Sequence, residues 1–224
     1  IKDMPGSLQV LDDLDTMTTL QREEPGRANE TLGTWLAPDG SKTLQFARLK
    51  EKALKFADSI RSGRISQADA VMATKSTIWK SLEFPMATTS LSKQQWVTII
   101  RPILMEGLPK MSANRNFPRD IVFAPEKLQG FNFQHPFSLQ VIKQVQLLFL
   151  HLEDSNPTSK LLNAEWEALV QVSGWRDTTK PWPWKLLNQY IPHTWLGKLL
   201  EHAQDLRMEI HLPLQGVPPR THDI

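Results

Sequence analysis

The chain has 224 residues, with no cysteine, 16 prolines and 8 tryptophans. The lack of thiols excludes disulfides, thiolate zinc sites, cysteine nucleophiles and iron–sulfur clusters. The net charge of +2 hides a segregation, because residues 41–130 hold 15 Lys/Arg against 7 Asp/Glu while residues 1–40 are net acidic. A basic region of this size is typical either of contact with phosphates or of an ordinary solvated face.

Apolar runs such as Leu147 to Leu150 are far shorter than the roughly 20 residues that a membrane span needs, so no membrane partner is expected. The chain starts at Ile1 and its first twenty residues carry several charges instead of an apolar leader. We therefore expect it to be a fragment of something longer.

The N-terminal residues predict β structure. Residues 7–22 place β-branched and apolar residues on both sides of an Asp-rich turn, which is typical of a hairpin. Residues 31–36 predict one short strand that leads into a turn at residues 38–41. Ser41 is expected to cap the helix that follows.

Three helices are predicted between residues 42 and 107. Residues 42–61 carry one apolar stripe, formed by Phe46, Leu49, Ala53, Phe56 and Ile60, with cations off the stripe and Gly63 as its stop. A second helix starts at Ser66 and ends near Pro85. The third has a capping box of Ser92 and Gln95, Leu91 packed on Trp96, and Gly107 as its end.

Residues 108–137 contain four prolines and predict irregular structure, with a hairpin around residues 120–134 that includes a strand at residues 121–123. We expect a break between two lobes in this region. Helices are predicted again at residues 138–152, with Ile142 on the buried face, and at residues 158–172 and 194–206. Residues 178–184 are expected to be a linker, and the tail from Pro213 is expected to be loose.

Candidate chemistry is sparse. Asp12, Asp13 and Asp15 could hold metal ions for nucleotidyl transfer, but their turn position explains them better. The six histidines show no metal-ligand spacing, and phosphate-loop, nucleophile-elbow and dinucleotide motifs are absent from the sequence. No catalytic or metal-binding residue is therefore predicted. The segment 110–127 mixes basic, amide and aromatic residues. This mixture is equally typical of a loop that contacts nucleic acid and of an ordinary exposed loop.

Several short strings carry a family resemblance. They are LGTWLAPDG at 32–40, LEFPMATT at 82–89, GLPK at 107–110, RNFPR at 115–119, APEKLQG at 124–130, TWL at 194–196 and PR at 219–220. In this order they resemble the region downstream of the catalytic palm in reverse-transcriptase-like proteins of retroelements, a type abundant in diatom genomes. One departure is Asn132, near which that family usually has a second glycine; Asn tolerates the left-handed backbone.

The predicted elements together give a mainly α fold with a small β component. The resemblance implies an end-of-palm β element at 1–40, a helical thumb-like bundle at 41–107, a basic loop and hairpin linker at 108–137, and a helical C-terminal extension at 138–224. The Tyr-x-Asp-Asp-type motif of the palm is absent from this sequence. No cofactor is expected in this chain, and Mg²⁺ is implied only for the missing palm.

The implied function is non-catalytic: the chain would grip the backbone of an RNA/DNA primer–template duplex beside the upstream palm of the same polyprotein. The expected phosphate contacts are Arg48, Lys52, Lys55, Arg61, Arg64, Arg115, Arg119 and Lys127. An alternative is a helical protein–protein interaction module that binds no nucleic acid. A hydrolase using Asp12 and Asp13 ranks last.

Overall fold

The computed structural model describes residues 8–11, 16–20, 24–152, 156–174 and 194–210. It is mainly helical, with two small antiparallel hairpins before the helices, which confirms the predicted fold class. The chain divides into two compact units, Ile1–Ser41 and Lys42–Ile224. Within the described ranges, the helices are too short or too polar to span a membrane.

The N-terminal unit holds both hairpins. Strand β1 (Leu8–Leu11) pairs with β2 (Met17–Leu20), as predicted, while the Asp-rich turn lies outside the described residues. Strand β3 (Asn29–Thr31) pairs with β4 (Thr34–Leu36), so the prediction of one strand at residues 31–36 is wrong. The chain reverses at Leu32 and Gly33, which both have positive φ, a turn geometry that matches the twist of paired strands.

Helix α1 (Thr43–Ser62) confirms the first predicted helix. Leu49, Ala53 and Ile60 are buried and the two phenylalanines of the stripe are partly buried against the same core. The N-cap position belongs to Lys42 and not to Ser41, the predicted cap, whose N–H donates to the Asp39 side chain at 2.8 Å. The helix ends at Gly63, whose backbone is extended.

The second helical segment runs continuously through four local geometries. These are α2 (Gln67–Ala73), a π-helical turn (Thr74–Trp79), α3 (Lys80–Glu83) and a 3₁₀ turn (Phe84–Ala87). Ser66 caps it by accepting from the Asp69 N–H at 3.2 Å, as predicted. The Thr74 hydroxyl donates back to the Ala70 carbonyl where the π turn begins, a bond that competes with regular α-helical pairing.

Helix α4 (Lys93–Lys110) begins with the predicted capping box, since Ser92 and Gln95 each accept from the other's backbone N–H. The prediction that Gly107 ends this helix is wrong. Gly107 is buried inside it, and the helix continues to Lys110.

The region 108–137 also differs from expectation. Instead of a strand and hairpin it contains the short helix α5 (Arg119–Val122) and a 3₁₀ turn (Glu126–Leu128). Pro118 stands at the N-cap of α5 with its φ already near helical values, and Val122 is fully buried. Val122 and Phe133 pack in the same hydrophobic cluster as residues of α1 and α4. The region also lies within the unit Lys42–Ile224, so the expected break between two lobes is not found here.

Three longer helices complete the described chain: α6 (Pro136–Leu152), α7 (Pro157–Ser173) and α8 (Trp195–Asp205). All three were predicted to within two residues at each end. Ile142 was predicted to be buried but is 43% exposed. The linker at 178–184 and the tail from Pro213 lie outside the described residues.

Helix α6 takes part in two hydrophobic clusters. The first cluster is formed largely by buried residues from α1 to α5, and Leu139 of α6 belongs to it. The second lies among α6, α7 and α8, and Val141 of α6 belongs to that one.

Between these two positions on α6, Gln140 is fully buried and joins three segments. Its Oε1 accepts from the Trp96 indole N–H at 2.7 Å and from the Leu91 N–H at 2.9 Å. Its Nε2 donates to the Leu91 carbonyl at 3.0 Å and lies 3.4 Å from Nδ1 of His202. Because Gln140 presents a donor to it, Nδ1 of His202 must be unprotonated.

His202 should make the fold sensitive to acid. Burial lowers its pKa from 6.5 to about 4. The charged side chains that act on it are Glu201, Lys198, Asp205 and Lys42. Since the unfolded chain takes up this proton near pH 6.5 and the folded chain does not, stability should fall by about 2 kcal/mol between pH 7.5 and 5.

Denaturant unfolding of the wild type and of His202→Leu across this range would measure the contribution. The variant should lose less stability on acidification. The pKa of His135 is also lowered by burial, and this residue contributes the same pH dependence of stability to both proteins. Parallel pH profiles for the two proteins would contradict the assignment.

Candidate nucleic-acid interface

Helix α1 carries three of the predicted cations on one side. Arg48, Lys52 and Lys55 are spaced by four and three residues and are exposed, as expected. Glu51 pairs with Arg48 at 3.1 Å and with Lys55 at 2.8 Å, and both interactions lower the pKa of the Glu51 carboxyl. The Lys55 side chain remains 76% exposed, so this pairing leaves the cation open to solvent.

The end of α1 and the loop after it add two more cations. Arg61 pairs with Asp58 at 2.9 Å and stays largely exposed, and Arg64 is exposed in the loop before α2. Lys127 is exposed on the 3₁₀ turn at Glu126–Leu128. Within the described ranges, no carboxylate lies within ion-pair distance of Lys52, Arg64 or Lys127.

The segment around that 3₁₀ turn is tied to the second helical segment. Lys75 of the π turn pairs with Glu126 at 3.2 Å and lies 5.8 Å from the ring centre of Phe133. The Trp79 indole N–H donates to the Gln134 carbonyl at 2.9 Å, and its ring stacks on Phe133. These contacts attach the segment that carries Lys127 to the second helical segment.

The predicted cations Arg115 and Arg119 lie together. Arg119 is half-buried, and its Nη2 donates to the Arg115 carbonyl at 3.0 Å and contacts Sδ of Met105 at 3.8 Å. Burial, followed by the charge of Arg101, lowers the pKa of Arg119. Arg115 is exposed, and its nearest carboxylate is Glu106, at 3.4 Å.

Arg101 is the cation that the sequence analysis missed. It lies on α4, one turn before Met105, and is exposed. In the sequence it is an ordinary helix cation, separated by 18 residues from Arg119, and the contact of Arg119 with Met105 brings Arg119 to the same helix. The predicted cations thus occupy three places: α1 with its following loop, the Arg115–Arg119 turn, and the 3₁₀ turn at Lys127.

Groups that could bind a metal are not gathered in the part of the chain that the structure describes: no three His, Asp or Glu side chains there come close enough to share an ion. Asp12, Asp13 and Asp15 lie outside the described residues. Of the histidines, His202 belongs to the core, and His135 packs edge-on against Phe123.

Comparison with known proteins identifies no relative. No protein-family model matches the chain, and no curated protein and no solved structure is significantly similar to it.

Proposed function

We propose that this chain is a non-catalytic part of a retroelement reverse transcriptase and grips the backbone of the primer–template duplex. The observation that carries the proposal is the set of exposed cations on α1, Arg48, Lys52 and Lys55, on a helix whose opposite face is anchored in the core. A rigid helix with cations at this spacing can contact successive phosphates along one strand. The family resemblance of the sequence supports the same function.

The ion pairs on this surface do not oppose the proposal. Arg48, Lys55 and Arg61 pair with carboxylates that are themselves about half exposed or more. Pairs of this kind contribute little free energy because water screens both charges. A duplex phosphate can therefore replace the carboxylate as the partner of each cation at small cost.

The chain should bind duplex of any sequence with an affinity that falls steeply with salt, and it should not extend a primer. If four to six of the eight predicted cations reach phosphates, the slope of log K against log[salt] should be about −3.6 to −5.4. Reversing Lys52→Glu and Lys55→Glu together should weaken binding equally for all sequences and flatten the slope by about 1.8. Fluorescence anisotropy with labelled duplexes measures both quantities.

A matched control reverses two exposed cations outside residues 41–130, Lys160→Glu and Arg207→Glu, which changes the net charge by the same amount. This control should keep most of the affinity and the slope. Equal losses in the two double variants would indicate a general charge effect and would count against a grip by α1. Nucleotide incorporation by the chain with Mg²⁺ would refute its non-catalytic character.

A specific feature of α7 favours the alternative, a protein interaction module. Leu161, Ala164, Ala168 and Val172 follow the spacing of one helix face and are all exposed, with Leu161 at 72%. An apolar stripe of this kind on one helix is typical of helix-to-helix contact between proteins. The two functions are separated by the binding experiment, because an interaction module predicts no salt-dependent affinity for duplex.

A further inference from the structure

Phe84 is a large aromatic residue that lies exposed on an anchored stretch of backbone. It is 64% exposed and begins the 3₁₀ turn at Phe84–Ala87. Leu82 and Met86, two residues to either side, are each only 1% exposed and belong to the first hydrophobic cluster. The core therefore fixes the position of this segment, while the ring stays open to a ligand.

Two lysines adjoin this position and share one carboxylate. Lys80 precedes Phe84 by four residues in the same continuous helical segment, a spacing that makes two side chains neighbours on a helix surface. The Glu83 carboxylate accepts from Nζ of Lys80 at 2.8 Å and pairs with Nζ of Lys143 at 2.9 Å. Hydrogen bonds from Lys143 and from Lys80 lower the pKa of Glu83, so the carboxylate stays ionised.

This group of charges is suited to bind an anion. Two ammonium groups on one carboxylate leave a net charge of +1. An ammonium has three donors, so each lysine keeps donors for a further acceptor. The Lys80 side chain is 69% exposed and that of Lys143 is 36% exposed, so both are accessible from solvent.

The surroundings of Phe84 favour a nucleobase over the apolar side chain of a partner protein. Protein anchors are bound in well-packed patches that exclude water. Around Phe84, however, the nearest fully exposed residues along the chain are Lys80 and Thr88, and both are polar. A nucleobase needs only a flat ring on which to stack and a cation for its phosphate.

We propose that Phe84 stacks on an unpaired base of a nucleic-acid strand while Lys80 and Lys143 bind a neighbouring phosphate. The proposal deepens the function proposed above and rests on it for the source of the strand, the single-stranded template next to the duplex. The faces of paired bases are covered by their neighbours in a duplex, so the ring selects the unpaired part. The three residues lie outside the set of predicted phosphate contacts.

The test compares the affinity of the full chain for a short oligodeoxyadenylate and for an abasic strand of the same length, by competition in fluorescence anisotropy. Both strands offer the same phosphates, so the cations of α1 contact them alike and the difference isolates the bases. The wild type should bind the oligodeoxyadenylate about tenfold more tightly, as expected for one stacked base. Phe84→Leu keeps an apolar side chain without the flat ring and should abolish this preference, whereas Phe84→Trp should keep it.

Two controls separate the ring from the charges and from exposure alone. Met72→Leu changes another residue of the same helical segment that is 64% exposed, and it should leave the preference unchanged. Lys80→Gln combined with Lys143→Gln should weaken the binding of both strands alike and flatten the salt slope by about 0.7, one phosphate contact on a single strand. The preference for bases should survive in this double variant.

Equal affinity of the wild type for the two strands, or a preference that persists in Phe84→Leu, would overturn the stacking site. A ring that anchors a protein partner predicts equal affinity. If the wild type binds duplex in a salt-dependent way but does not distinguish the two strands, the stacking site fails and the grip by α1 stands. If Phe84→Leu abolishes a clear preference for bases but the wild type binds no duplex, the proposed function fails and the stacking site stands.

Discussion

Replacing Trp96 by alanine should lower the free energy of unfolding by about 3–5 kcal/mol, the range seen for large buried aromatic residues. Trp96 is fully buried in the first hydrophobic cluster, so the change leaves a cavity that its neighbours can only partly fill. It also removes the indole donor that Gln140 accepts at 2.7 Å. Urea denaturation of the variant and the wild type measures the loss.

Two further substitutions separate the loss of buried apolar volume from the loss of the indole hydrogen bond and from the effect of any substitution in this part of α4. Trp96→Phe keeps most of the apolar volume and removes the N–H, so it should cost less than Trp96→Ala, about 1–2 kcal/mol. Val97→Ala, at the next and partly exposed position of α4, should cost less than about 1 kcal/mol. A loss below about 1 kcal/mol for Trp96→Ala would mean that the indole is not buried.

Gly130→Ala should destabilise the fold by about 3 kcal/mol, at the upper end for overpacking. A side chain at this position would lie 2.7 Å from the Ile121 carbonyl oxygen and closer still to the carbonyl of Ala124. Both obstacles are backbone, which cannot rotate away as a side chain can. The Ala124 carbonyl also accepts from the Asn132 N–H at 2.9 Å, so moving it would break the turn.

The neighbouring residue supplies the control for this prediction. Gln129 is exposed and already has a left-handed backbone with φ of 59°, so Gln129→Ala keeps the same strain and should change stability by less than about 0.5 kcal/mol. Thermal unfolding of both variants would distinguish a steric clash at position 130 from a loss of stability that follows any substitution in this turn. Equal stability of the two would show that residues 121–124 move aside freely.

The sequence allowed the long helices to be predicted because their signals are local. The capping box of Ser92 and Gln95 and the stripe of α1 depend only on residues within a few turns, and both are found as predicted. The expectation that Asn132 could take the left-handed backbone is also confirmed, with φ of 54°. Each of these features depends on residues that are close together in the sequence.

Features that depend on distant packing could not be predicted. Ile121, Val122 and Phe123 favour a strand by propensity, yet burial of Val122 in the core and a proline before the segment make it a helix. Ile142 continues an apolar pattern but faces solvent, because the packed face of α6 is set by the helices around it.

The position of Gln140 has a consequence for any attempt to transplant residues 41–107 into another protein. A piece limited to residues 41–107 would carry Trp96 and Leu91 but leave behind the amide that satisfies the Trp96 indole and both backbone groups of Leu91. It would also lose Phe133, Phe137 and Leu139 from the first cluster. A chimera should therefore take α6 with the segment, because the boundary implied by family resemblance cuts through a shared core.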